Sequence, residues 1–138
     1  MNPQDFVRKL ALRLKMHKVE GTAVHHVALL IRSLEAQGIK SEMVRGYCVI
    51  PVTKEACDHY WARTEEGLDL DVAFEVAKLR SPELEAMHPV LLDSLPEGLT
   101  RTDKDEILIR DENERLYELF NSDPKKFWLE SPTKKFRV

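Results

Sequence analysis

An α+β domain is what this chain predicts, from three observations. One run, residues 22–37, is apolar on almost every side at helical spacing. Three stretches with strand character follow it directly. Helical periodicity then returns near the end, after a proline-punctuated segment. A helix that apolar is central and buried. Strands in close succession pair antiparallel. At 138 residues the chain fits one domain with a moderate core.

The elements follow in order. Residues 3 to about 16 read as the first helix, with Asn2 as cap and Pro3 in the first turn. Phe6, Val7, Leu10, Ala11 and Leu14 form its apolar stripe, and docking on the core is its expected use. Thr22 caps the central helix. Ala23, Val27, Leu30 and Leu34 share one face there, leaving a narrow polar stripe through His25, Arg32 and Glu35. Gly38 is placed to end it in a left-handed conformation.

The strands are expected at 42–50, 57–64 and 68–72, with Pro51 ending the first and Gly67 turning into the third. In the last, Leu68, Leu70 and Val72 point one way and Asp69 and Asp71 the other. Residues 73–79 form a short helix. Residues 81–102 carry Pro82, Pro89, Pro96 and Gly98 and read as a long irregular excursion of the kind that serves as a lid. Residues 107–109 suggest a short strand, 111–120 a helix, and Asp123-Pro124 a new turn holding Phe127 and Trp128. The helical tail thus spans about 111–130, and 131–138 read as frayed.

Composition narrows the function classes. Hydrophobic residues make up 43% and charged residues 33%, the balance of a soluble globular protein. The longest apolar run, Val27 to Ile31, is too short to span a bilayer, and no leader pattern opens the chain. Two cysteines, Cys48 and Cys57, make no disulfide framework and fit a reducing, cytoplasmic setting. Net charge is -3. The two ends are basic and the middle acidic, but no aromatic interleaving or nucleic-acid motif accompanies the charge.

Four runs carry chemistry. Gly21-Thr22-Ala23 opens the central helix, which closes at Gly38-Ile39. Val44-Arg45-Gly46-Tyr47 follows, then His59-Tyr60-Trp61, then Leu68-Asp69-Leu70-Asp71. This order resembles the catalytic core of the transglutaminase-like superfamily, over roughly residues 20–75. There a nucleophilic cysteine opens a buried helix, a histidine lies on a following strand and an acid on the next. The resemblance implies a papain-like core with the helix packed on a small antiparallel sheet. It also implies thiol chemistry on amides. Hydrolysis of a peptide or isopeptide bond is the first expectation, and acyl transfer to an amine the alternative. No cofactor or metal is implied, and the partner is a peptide or protein amide.

Position 23 departs from that pattern, because an alanine methyl cannot attack a carbonyl. A thiol there would gain from the helix dipole and free N–H groups, which favour thiolate. Gly21 would let substrate approach the backbone. His59 would be its base and Asp71 the orienting acid. Asp69 shares Asp71's parity, so it stays an alternative. Trp61 would shield the imidazole, and His26, one turn after Ala23, would line the site. Two explanations of the alanine compete. One is an engineered replacement that silences a parent enzyme, which the retained His59, Trp61 and Asp71 favour. The other is a natural pseudoenzyme that binds peptide without cutting it. A pure interaction protein is the third reading.

Other nucleophiles and metals are weaker candidates. Cys57 precedes His59 by two residues, about 6.6 Å along a strand, too far for a direct hydrogen bond. Cys48 reads as core. His17, His25, His26, His59 and His88 show no ligand spacing.

Overall fold

Helix α1 (Pro3–Met16) starts where the Asn2 side chain accepts the Gln4 N–H at 2.8 Å, and it buries Val7, Leu10, Ala11 and Leu14. In this computed structural model, residues 2–50, 54–84, 90–95, 97–101 and 107–136 are described. Helix α2 (Ala23–Ala36) follows. It ends at Gly38, whose φ of +80° is one that side chains with a Cβ rarely adopt.

Strands β1 (Ser41–Ile50) and β2 (Glu55–Thr64) pair antiparallel along their whole length, with Gly46 opposite His59 and Cys48 opposite Cys57. Strand β3 (Asp69–Leu70) is only two residues long, shorter than the run expected over 68–72. Leu68 is exposed, and Asp71 already caps helix α3 (Val72–Arg80), accepting the Phe74 N–H at 3.0 Å. An aspartate that can satisfy a free helix N–H ends a strand in favour of a helix.

The proline-rich excursion is more ordered than its composition suggests. Its described residues include a 3₁₀ turn (Pro82–Leu84), strand β4 (Val90–Leu92) against β1, and strand β5 (Thr100–Arg101) parallel to β2. Residues 85–89, 96 and 102 of it, His88 among them, lie outside the described residues. The sheet runs β3-β2-β1-β4, all antiparallel, with β5 on the β2 edge.

Helix α4 (Ile107–Ser122) takes in residues 107–109, which sequence pattern alone placed in a strand. Three apolar residues have no period long enough to separate strand from helix. Helix α5 (Pro124–Glu130) is capped by Asp123, which accepts the Lys126 N–H at 3.2 Å. The tail beyond it is held, not frayed, as far as Phe136. Ser131 and Thr133 are buried and joined by a 2.7 Å hydrogen bond, and Phe136 packs on the core.

The core lies between the helices and one face of the β1–β2 ribbon. Val27, Leu30 and Leu34 of α2 join Leu10 and Leu14 of α1, Val72 and Val76 of α3, Leu116 of α4 and Phe127 of α5. The sheet contributes Met43, Tyr60 and Ala62. By strand alternation, His59, Trp61 and Arg63 therefore turn to the opposite face. That face is covered in part by the chain leaving β4. Asp93 reaches Arg63 at 2.8 Å, and the Leu92 carbonyl and the Trp61 ring occupy the space a side chain at Gly46 would fill. Only glycine permits that approach.

Candidate functional site

Strand β2 and the junction of β3 with α3 bring His59 and Asp71 together. The His59 Nε2 lies 2.7 Å from Asp71 Oδ2, with the two side chains 12% and 14% exposed. Both carboxylate oxygens of Asp71 are fixed, since Oδ1 accepts the Phe74 N–H. A helix start thus orients the acid, and the acid orients the ring. The carboxylate thus engages Nε2 of the ring and not Nδ1. Trp61 stacks beside the imidazole, with ring centroids 6.2 Å apart at 26°.

Strand parity leaves Asp69 and Asp71 equivalent, and their partners separate them. Asp69 accepts from Arg63 Nε at 2.8 Å, and Arg63 also donates to Asp93. Asp69 is therefore a member of a surface ion cluster. The Arg63–Asp69 half was open to inference, since the two are directly opposed on β2 and β3. Asp93 gave no local signal.

Ala23 is the first residue of α2, partly buried, with its packing on the helical core. Among the described contacts, His59 and Asp71 meet each other, and none joins Ala23 to either. Gly21 has a different local reason from the expected substrate approach. Its φ is +138°, and a Cβ there would fall 2.8 Å from the His25 Cβ and 2.9 Å from its ring. Glycine makes room for that ring.

His25 corrects the expected polar stripe of α2. It is 5% exposed, stacks on Phe127 at 5.6 Å and accepts the Thr22 N–H through Nδ1 at 2.8 Å. Helix α5 covers it, which the pattern of α2 alone could not show. Burial, then the neighbouring His26, lowers its pKa to about 4. His26 is also 5% exposed, and its Nε2 has no partner among the described residues. Burial lowers its pKa too, opposed by a hydrogen bond with the Val19 backbone and reinforced by Arg80.

Cys48 and Cys57 face each other across β1 and β2, and the Cys57 thiol points to the Cys48 carbonyl at 3.7 Å. Burial pushes the Cys48 thiol up to about 12, so it is protonated at neutral pH. Among the described residues no group of three His, Cys, Asp or Glu could hold a metal ion, and no helix is long and apolar enough to cross a membrane.

No family model matches the chain, and comparison with characterised proteins and with solved structures finds no match either.

Proposed function

We propose that this chain carries the frame of a thiol-dependent amide hydrolase of the transglutaminase-like kind and is catalytically silent because position 23 is alanine. Peptide or isopeptide hydrolysis is the chemistry of that frame, with acyl transfer to an amine as its variant. The supporting observation is the partly buried His59–Asp71 pair at 2.7 Å, an imidazole oriented by a doubly anchored carboxylate. In this reading His59 is the base, Asp71 its orienting acid, and Ala23 holds the nucleophile position at the start of a 14-residue helix. A helix N-terminus would favour a thiolate there.

A second reading has its own support. With a methyl at position 23 and the Cys48 thiol raised to about 12, neither residue offers a thiolate at neutral pH. The same frame would then serve as a peptide-binding module without turnover.

Ala23→Cys decides between them. The hydrolase reading expects the new thiol to be alkylated by iodoacetamide near pH 7 about tenfold or more faster than Cys48 or Cys57. Adding His59→Ala should slow that reaction, while Cys48→Ser should leave it unchanged. A thiol at position 23 that reacts like a free cysteine, with or without His59, leaves the binding module as the reading.

A further inference from the structure

An open groove of about 920 Å³ runs between α2 and α5, away from His59 and Asp71. Its apolar lining includes Ile31, Phe120, Trp128 and Leu129, and Leu129 is 72% exposed. An exposed leucine beside a half-buried tryptophan is costly surface to leave facing water. The rim is charged and one-sided. Arg32, Lys125, Lys134 and Lys135 stand there against Glu35 alone. Among the described residues none of the four cations has an ion-pair partner; Arg32 lies over the Trp128 ring at 5.0 Å. A chain with net charge -3 thus keeps a local excess of positive charge around apolar floor.

We propose that this groove receives an acidic amphipathic helix of a partner protein. The apolar floor suits a stripe of anchors at helical spacing, as helix-in-groove recognition requires. Four unpaired cations exceed what one carboxylate could use, which favours a segment carrying several acidic residues over a single apolar acid. Rim charges of this kind steer the partner and set its register, while Trp128 and Arg32 are the residue types that supply most binding energy. The proposal goes beyond the amide chemistry and does not depend on it.

The test uses the full chain and a synthetic 14-residue peptide, about 21 Å long as a helix, with Leu and Phe at i, i+3, i+4 and i+7 and Glu on its flanks. Saturable change in tryptophan fluorescence with Kd below about 100 µM is expected, with the signal lost in Trp128→Phe. Raising salt should weaken binding. The double variant Lys125→Glu/Lys135→Glu should weaken it about tenfold or more while leaving the thermal midpoint unchanged. Equal binding of a peptide with Lys in place of Glu would overturn the proposal. So would binding of anionic vesicles but not of the peptide, or sedimentation showing that the chain self-associates through this groove.

Discussion

The two faces of the β1–β2 ribbon are built on different principles. Tyr60 and Ala62 enter a core of aliphatic and aromatic side chains drawn from all five helices. Of their neighbours on the other face, His59 meets Asp71, Arg63 meets Asp69 and Asp93, and Trp61 stacks beside the His59 ring. One face is held by area removed from water and is non-directional. The other depends on a few directed contacts, several brought by chain far away in sequence. Stability should therefore reside mainly on the helix face.

That contrast can be broken most forcefully at Leu30, fully buried in α2. Leu30→Ala should cost about 2–5 kcal/mol, read as a lowered urea midpoint. A cost below about 1 kcal/mol would mean that the helix face is not the stabilising one.

Next in size is the acid response of His25, on the same side. Its folded pKa of about 4 lies below the usual value near 6.5, so the unfolded chain binds a proton that the folded one refuses. Stability is at its full value above pH 6.5, falls as pH drops through that window and levels off below about pH 4. The loss from this group is at most about 3 kcal/mol. His25→Gln should flatten urea stability between pH 6.5 and 4.5 relative to the parent. An unchanged slope would mean that the ring is not held neutral.

The smallest effect belongs to the opposite face. Asp93 is exposed, and its carboxylate is held below its ordinary pKa by the hydrogen bond from Arg63. Exposed ion pairs contribute little. Asp93→Ala should leave the thermal midpoint almost unchanged, within about 1 °C or 2 °C of the parent. A large drop would show that the crossing from β4 to β5 is anchored by this contact and that the polar face carries stability after all.

Legibility followed the same division. The apolar stripes of α1 and α2 span many residues, and three or four turns of one period leave little room for another assignment. The cap Asn2 and the stop at Gly38 were readable because they depend on neighbours within four residues. Residues 107–109, as the first turn of α4, and the brief β3 were not, since a short apolar run or a strand end is decided by what packs or caps it.

The sequence by itself determined the α+β class, the central helix and its ends, and the hairpin that carries His59, because these rest on local periodicity and local hydrogen bonding. It also determined that position 23 offers no nucleophile. Only the tertiary structure decided that Asp71 and not Asp69 meets His59, that His25 is buried under α5, and that the excursion supplies strands on both edges of the β1–β2 ribbon. Each of those depends on which distant segment closes over a residue. Side-chain parity and spacing constrain direction along an element, but they hold no information about what arrives from elsewhere in the chain.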